Sequence, residues 1–311
     1  MGILKNKNLI GLAELDKEDI DLILQHAKSF KEVLNRPIKK VPTLQGKTIV
    51  NLFFENSTRT RISFELAQKR LSADTVNFST SNSSLIKGES FKDTVRNIEA
   101  MKIDCVVMRH PMPGSHFQLK NYINSVIINA GDGAHEHPTQ GLLDLMSLLE
   151  VKKKLKGLRV AIIGDISHSR VARSNIYGLL KMGSKVTICG PPNLIPMDIQ
   201  KLGVDINYDI NETLSWADVI NVLRIQRERQ GVCYIPSIRE YRDLYGITVE
   251  RIERLKKQIV IMHPGPINRG VEIDSDVVDS ENAIVLDQVL NGVAIRMSVL
   301  YLLLGDSPKG S

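Results

Sequence analysis

TIVNLFFENSTRTR, residues 48–61, joins a continuous apolar run directly to the polar first turn of a helix. The run TIVNLFF, residues 48–54, lies between polar turns, as expected of a strand that is covered on both faces in a parallel sheet. A helical pattern follows over residues 58–71. This stretch therefore predicts a strand, a short turn and a helix of an α/β protein.

The same alternation of strands and helices continues in both directions from this stretch. A helix with Asp16 as its N-cap precedes it, and Pro37 ends that helix. Another helix covers residues 138–150 and starts with Pro138. Further strands are predicted over residues 75–79, 105–109, 125–130, 159–163, 185–189, 205–208, 218–223 and 258–263. Strands that alternate with helices predict βαβ units and mostly parallel sheets flanked by helices.

The length of 311 residues predicts two domains, because a single hydrophobic core rarely serves so long a chain. We place the boundary near Glu150, so that residues 1–150 form the first domain and residues 151–287 the second. A long helical pattern runs from Gln288 to Leu304. We expect residues 288–311 to join the first domain and the C-terminal helix to pack back on it.

The charge balance is basic, with 41 Lys and Arg against 35 Asp and Glu and a formal net charge of +6. Aromatic residues make up only 5% and include one Trp, although a nucleic-acid surface usually interleaves them with basic residues. The lysine run at residues 152–156 falls between a helix and a strand, where a solvated segment is expected. A non-catalytic protein that binds nucleic acid is therefore the disfavoured alternative.

Cysteine usage and apolar runs indicate the compartment. The three cysteines are far apart and form no CxxC pair, which favours a reducing compartment, and we expect the cytoplasm. The N-terminal residues lack a secretory apolar region, and no apolar run approaches the about 20 residues that span a bilayer. The most apolar stretch, residues 293–305, contains Arg296 and predicts a buried core helix rather than a membrane anchor.

The strongest candidate site is the helix start at Ser57, Thr58, Arg59 and Thr60. Free N–H groups, the helix dipole, hydroxyls and a forked cation together favour a bound anion such as phosphate. The segment is not a P-loop, because it lacks that glycine and lysine pattern. The simpler alternative is that Ser57 caps the helix and the arginines are solvated.

Other donors follow predicted strands, where α/β sheets bind their ligands. Arg109 ends a strand, and His137 and Gln140 open the helix at residue 138. Further candidates in the second half are Arg170, Arg224, Gln226 and the HPGP turn at residues 263–266. The His135-Glu136-His137 segment lacks metalloprotease spacing, and the first turn of the second half has only Gly164 of a dinucleotide fingerprint. We therefore expect neither a metal nor NAD.

Taken together and in order, these segments resemble the aspartate/ornithine carbamoyltransferase family over nearly the whole chain. The matching segments are STRTR at 57–61, the 83–89 loop with Lys87, MRHP at 108–111, HPTQ at 137–140, Arg170, RIQ at 224–226 and HPGP at 263–266. Ornithine enzymes share an SMG segment and an HCLP turn, and this chain has neither. Arg170 and Arg224 instead suit the two carboxylates of aspartate.

The resemblance implies that the chain transfers the carbamoyl group of carbamoyl phosphate to the amino group of L-aspartate in pyrimidine biosynthesis, with ornithine or another amino acid as the alternative acceptor. It implies no cofactor and no metal. It also implies a homotrimer in which the loop with Ser83 and Lys87 reaches the neighbouring subunit's site. It leaves open whether a dihydroorotase or a regulatory chain joins that trimer.

The resemblance also implies residue roles. The phosphate would bind Ser57, Thr58, Arg59, Thr60 and Arg109, and the carbonyl oxygen would face Thr60, Arg109 and His137. The carbamoyl NH2 would donate to Gln140 and to the backbone carbonyls of Gly265 and Pro266. Aspartate would bind Ser83, Lys87, Arg170, Arg224 and Gln226. The catalytic set would then be Arg59, Thr60, Lys87, Arg109 and His137.

Overall fold

The computed structural model describes residues 4–79, 90–226 and 237–305 of the chain. Of these residues, those up to Leu143 and those from Leu290 onward form one compact unit, and those from Asp144 to Val289 form the other. The chain passes between the units within the helices Pro138–Lys152 and Val285–Leu304. The predicted limits after residue 150 and before residue 288 fall inside these two helices, and as domain limits they stay predictions.

The first unit contains a four-stranded, fully parallel sheet in the order β2-β1-β3-β4. Its strands are β1 (Thr48–Phe53), β2 (Asp74–Ser79), β3 (Cys105–His110) and β4 (Val126–Asp132). Its helices are α1 (Lys17–Leu34), α2 (Thr58–Arg70), α3 (Phe91–Ala100) and α4 (Ser115–Leu119). β1 is an inner strand and is buried from Ile49 to its end, as the apolar run predicted.

The second unit contains a five-stranded parallel sheet in the order β7-β6-β5-β8-β9. Its strands are β5 (Arg159–Ile163), β6 (Lys185–Cys189), β7 (Asp205–Ile206), β8 (Val219–Val222) and β9 (Val260–Met262). Its helices are α6 (Arg170–Lys181), α7 (Ile210–Trp216), α8 (Ile238–Tyr245), α9 (Val249–Glu253) and α10 (Ser275–Val278). The predicted α/β class with mostly parallel sheets is confirmed.

Side-chain hydrogen bonds explain several element limits. α1 begins after Asp16 because that carboxylate accepts from the Asp19 N–H, as predicted. β7 is shorter than the predicted 205–208 because the Asn207 side chain accepts from the Asp209 N–H at 2.8 Å and turns the chain toward α7. β9 is shorter than the predicted 258–263, and the N–H of His263 donates to the side chain of Gln288.

The helix that crosses back to the first unit, α11 (Val285–Leu304), starts three residues before the predicted Gln288. α5 (Pro138–Lys152) is the other crossing helix. The Tyr301 ring of α11 lies 5.5 Å from His26 and 5.6 Å from Phe30 of α1. The Ser298 hydroxyl donates to the Ile23 carbonyl at 2.7 Å. The predicted packing of the C-terminal helix on the first domain is confirmed.

α11 is long and apolar enough to cross a membrane by length and composition alone, but 56% of its apolar window is buried inside the protein. Ala294, Ile295 and Met297 are fully buried. Such burial is typical of a core helix, as the presence of Arg296 in this stretch predicted. Residues 306–311 lie outside the described residues.

Candidate active site

The turn from β1 into α2 places the predicted anion site at the carboxyl edge of the first sheet. Ser57 occupies the N-cap position in extended conformation, but its side chain makes no capping hydrogen bond. The capping by Ser57 that the simpler alternative expected is therefore wrong, whereas Arg59 and Arg61 are exposed as that alternative expected. The first turn of α2 contains no acidic residue; Thr58 and Arg59 are exposed, whereas Thr60 is buried. The helix start thus presents backbone donors and a cation in a first turn that has no acidic residue of its own.

Arg109 near the end of β3 is buried at the same edge, with 9% of its surface exposed. Its Nη1 donates to the Ala130 carbonyl at 3.3 Å, and its Nη2 donates to Glu55 Oε1 at 3.2 Å. The Phe54 N–H donates to the Arg109 carbonyl at 2.9 Å. Since β1 and β3 are parallel neighbours, these bonds hold the guanidinium on the side of the sheet where α2 begins.

His137 and Gln140 lie at the start of α5. The His137 carbonyl accepts from the N–H groups of Gln140 at 2.9 Å and Gly141 at 3.2 Å. The His137 side chain is buried with 4% exposure, and Gln140 is half-buried. The structure therefore brings both predicted donors to the edge where β4 ends.

The loop before His137 is held by two buried carboxylates. Asp132 accepts from the Gly114 N–H and from Asn129 Nδ2, both at 2.8 Å. Burial by itself would raise the pKa of the Asp132 carboxyl, but contacts with His116 and His135 outweigh that effect and hold its pKa far below the ordinary value. This carboxylate is therefore a charged anchor of the loop.

Glu136 is the second carboxylate and accepts from the N–H groups of Leu12 at 2.8 Å and Ala13 at 3.1 Å. It therefore fastens the N-terminal segment to the loop. Within residues 4–79, 90–226 and 237–305, no group of three or more His, Cys, Asp and Glu side chains could hold a metal ion.

In the second unit, Arg170 and Arg224 follow neighbouring parallel strands. Arg170 is the first residue of α6 and is buried with 3% exposure, and Ser169 caps that helix by accepting from the Ala172 N–H at 3.2 Å. Arg224 is half-buried and lies two residues beyond β8. Because β5 and β8 are paired in parallel, both cations reach the carboxyl edge of the second sheet.

The approach to Arg170 is fixed by Asp165, a fully buried residue in the turn after β5. Its carboxylate accepts from the His168 N–H at 3.2 Å and lies 2.8 Å from His168 Nδ1. Gln226, a further predicted aspartate contact, is half-buried. The Asn268 side chain donates to the carbonyl of Ile225 at 3.3 Å and so holds this segment.

The HPGP turn follows β9, which pairs with β8. Gly265 has φ of +61°, a backbone conformation that favours glycine, and its bond to Pro266 is cis. The Gly265 N–H donates to His263 Nδ1 at 2.8 Å, and His263 Nε2 lies 3.3 Å from Glu272 Oε1. The turn is therefore held by hydrogen bonds to the His263 side chain, which in turn contacts Glu272, rather than by β-sheet hydrogen bonds.

The structure groups the predicted residues at two sheet edges. Ser57, Thr58, Arg59, Thr60, Arg109, His137 and Gln140 are in the first unit, and Arg170, Arg224, Gln226, Gly265 and Pro266 are in the second. Ser83 and Lys87 lie outside the described residues. All assigned roles of these residues stay predictions.

Sequence reasoning missed the carboxylates that hold these donors, namely Glu55, Asp132, Asp165 and Glu272. Glu55, Asp132 and Asp165 could have been predicted as supporting residues, because each is an acidic residue at or just beyond the end of an apolar strand. Glu272 carries no such signal, because its partner His263 is reached only through the fold.

Both halves of the chain match models of one protein family. Residues 7–150 match the carbamoyl-P binding domain of aspartate/ornithine carbamoyltransferase, and residues 156–303 match its Asp/Orn binding domain. The chain is 58% identical over 306 residues to the aspartate carbamoyltransferase catalytic subunit of Cytophaga hutchinsonii, covering 98% of this chain and 100% of that one. It is 56% identical to the corresponding subunit of Carboxydothermus hydrogenoformans, with 99% of each chain covered.

Solved structures agree with this assignment. The fold matches aspartate transcarbamoylase of Trypanosoma cruzi in complex with carbamoyl phosphate and aspartate, with a TM-score of 0.88, 30% identity, and 97% of this chain and 98% of that one covered. It also matches the ornithine carbamoyltransferase of Pyrococcus furiosus, with a TM-score of 0.86, 27% identity and the same coverage. The chain belongs to the aspartate/ornithine carbamoyltransferase family.

Proposed function

We propose that the chain transfers the carbamoyl group of carbamoyl phosphate to the α-amino group of L-aspartate and forms N-carbamoyl-L-aspartate and phosphate in pyrimidine biosynthesis. The observation that carries this proposal is the 56–58% identity, over nearly the whole chain, to catalytic subunits of aspartate carbamoyltransferases. The fold alone does not choose the acceptor, because an ornithine enzyme has a similar TM-score. Two arginines at one sheet edge favour a dicarboxylic acceptor.

The first unit would bind carbamoyl phosphate. Phosphate oxygens are strong acceptors, and the start of α2 offers Ser57, Thr58, Arg59 and Thr60 while Arg109 is held at the same edge. The carbonyl oxygen would face Thr60, Arg109 and His137. These donors stabilise the oxyanion of the tetrahedral intermediate, and such donors are each worth roughly 10²- to 10³-fold in turnover.

The second unit would orient the nucleophile. Arg170 and Arg224 would bind the two carboxylates of aspartate, with Gln226, Ser83 and Lys87 completing the set. Gln140 and the carbonyls of Gly265 and Pro266 would accept from the carbamoyl NH2, which only donates.

The covalent step needs only the substrates' own atoms. The neutral amine forms a C–N bond to the carbonyl carbon, and the C–O bond to phosphate breaks as the tetrahedral intermediate collapses. The departing phosphate is basic enough to take the amine proton. His137 then serves as a hydrogen-bond donor to the carbonyl oxygen rather than as the base.

The assembly that we propose is a homotrimer in which the loop with Ser83 and Lys87 enters the neighbouring subunit's site. Exposed apolar side chains on the first unit support self-association, because such clusters often mark interfaces. Ile62 and Leu66 lie one helical turn apart on α2 with 47% and 39% exposure, and Val76 on the edge strand β2 is 49% exposed.

We also propose that the protein works in the cytoplasm. Cys105 and Cys189 are free thiols buried in separate units. Unpaired cysteines are typical of a reducing compartment.

The proposal is tested by incubating the purified protein with carbamoyl phosphate and L-aspartate, and in parallel with L-ornithine, and by measuring ureido product colorimetrically. We expect N-carbamoyl-L-aspartate and no citrulline. Formation of citrulline alone would instead show that the protein is an ornithine carbamoyltransferase. Absence of either product together with salt-sensitive binding of nucleic acid would favour the non-catalytic alternative.

A further inference from the structure

A buried carboxylate lies behind the HPGP turn of the second unit. Glu272 has no exposed surface, and its Oε1 accepts from the Asn268 N–H at 2.5 Å and lies 3.3 Å from His263 Nε2. Its other oxygen, Oε2, makes no hydrogen bond within residues 4–79, 90–226 and 237–305. A single oxygen atom of Glu272 therefore holds two separate groups.

The contacts of His263 define its tautomer. The Gly265 N–H donates to Nδ1 at 2.8 Å, so Nδ1 carries no proton. Nε2 therefore carries the proton, and the Nε2–H group donates a hydrogen bond to Glu272 Oε1. His263 is a neutral imidazole with 1% exposure, and both ring nitrogens are engaged in holding the turn. This arrangement suits a structural link between Glu272 and Gly265, and it does not suit proton transfer to a substrate.

The second contact of Glu272 leads to the other part of the site. Asn268 receives Glu272 at its backbone N–H, and its side chain donates to the Ile225 carbonyl at 3.3 Å. Ile225 lies between Arg224 and Gln226. Glu272 Oε1 thus connects the turn that carries the Gly265 and Pro266 carbonyls with the segment that carries the Arg224 guanidinium.

We propose that Glu272 is a positioning residue for carbamoyl transfer. Through His263 it orients the carbonyls that accept from the carbamoyl NH2, and through Asn268 it orients the segment that binds the aspartate carboxylate. The inference rests on the proposed function, because it concerns the groups assigned there to the two substrates.

Kinetics of three variants test the inference. In Glu272→Ala both connections are lost, and we expect kcat to fall and KM for aspartate to rise, with kcat/KM reduced about 100-fold, since a small misplacement of site groups can cost that much. In Glu272→Gln the amide oxygen can accept both bonds, and the amide nitrogen takes the place of Oε2. We expect this variant to recover most of the loss.

Asp218→Asn is the matched control. The Asp218 carboxylate accepts from Arg159 at 2.6 Å, next to the amino end of β8 and away from the turn. Its removal should lower the midpoint of thermal unfolding but leave kcat and both KM values unchanged. If Glu272→Ala likewise changed only thermal stability, Glu272 would be a purely structural residue and the inference would be overturned.

The tautomer is tested in the wild-type protein, so that this result does not depend on whether a variant folds. Labelling histidines with ¹⁵N and assigning His263 from the spectrum of His263→Gln should show a proton on Nε2 and none on Nδ1. A proton on Nδ1 would overturn the inference. If the wild type formed no carbamoyl aspartate, the proposed function and the positioning role would both fail, whereas wild-type activity with unaltered Glu272→Ala kinetics would refute the positioning role alone.

Discussion

Arg59 and Arg109 supply the same chemistry from different surroundings. Arg59 is exposed in the first turn of α2, whereas Arg109 is buried and its two Nη atoms donate to Ala130 and Glu55. A guanidinium that is already held in place loses less conformational freedom when it binds a ligand. In the proposed site, Arg109 would therefore be a preorganised donor, whereas Arg59 would act from the exposed start of α2.

The role of His137 gives a prediction at the residue scale. His137→Ala should lower kcat by roughly 10²- to 10³-fold, because one donor to the oxyanion is lost. KM for carbamoyl phosphate should change much less, since the phosphate contacts remain. Steady-state kinetics with carbamoyl phosphate and aspartate measure both quantities.

His26→Ala is the control, because His26 is a half-buried histidine of the same unit whose ring lies 5.5 Å from the Tyr301 ring in a tilted arrangement. It should retain wild-type kcat. Unchanged turnover in His137→Ala, alongside an inactive Arg59→Ala, would show that His137 does not stabilise the oxyanion.

At the scale of elements, Asp132 ties the end of β4 to the start of α4 and to the loop before α5. Its pKa is lowered in the folded protein, so the ionised form stabilises the fold at every pH above the unfolded pKa of about 3.9. Asp132→Asn should reduce the free energy of unfolding by about 3 kcal/mol at neutral pH. The difference from the wild type should shrink as the pH falls below about 4, where the unfolded carboxyl takes up its proton.

Urea denaturation of both proteins between neutral and acid pH measures this difference. Asp279→Asn serves as the control, because the ion pair of Asp279 with Arg269 also lowers the pKa of Asp279 but is exposed to solvent, so its loss should change the pH dependence far less than Asp132→Asn does. A constant difference between the wild type and Asp132→Asn down to acid pH would contradict the assigned role of the Asp132 charge.

Elements with local signals were predictable, and contacts between distant residues were not. β5 and β6 match their predicted limits, because apolar runs between polar turns define such strands. β7 was overestimated because the bond between Asn207 and Asp209 competes with the strand. The pair of His263 and Glu272 depends on two side chains that only the folded second unit brings together. The sequence therefore allowed motif residues to be assigned to the site, and their roles stay predictions, whereas the groups that hold them could not be predicted.

At the scale of the whole molecule, the net charge of +6 has two sources. Some cations, such as Arg109 and Arg170, are buried at the sheet edges that would bind anionic groups. Others belong to solvated segments such as the lysine run at residues 152–156, where Lys152 is half-buried and Lys153 and Lys154 are exposed. These cations do not by themselves require a nucleic-acid surface.

The proposed trimer predicts recovery of activity by mixing two inactive variants. Arg59→Ala and Lys87→Ala should each be inactive alone, because every site lacks one cation. We assume that each site takes Arg59 from one subunit and Lys87 from its neighbour. In a mixed trimer, a site then has both residues when its Arg59 comes from an Lys87→Ala chain and its Lys87 comes from an Arg59→Ala chain. Equal mixing should then restore about a quarter of the wild-type activity.

Mixing Arg59→Ala with Arg109→Ala is the control and should restore none, since both residues lie at one sheet edge of the same unit. Verified subunit exchange without recovery in the first mixture would show that the site is not shared.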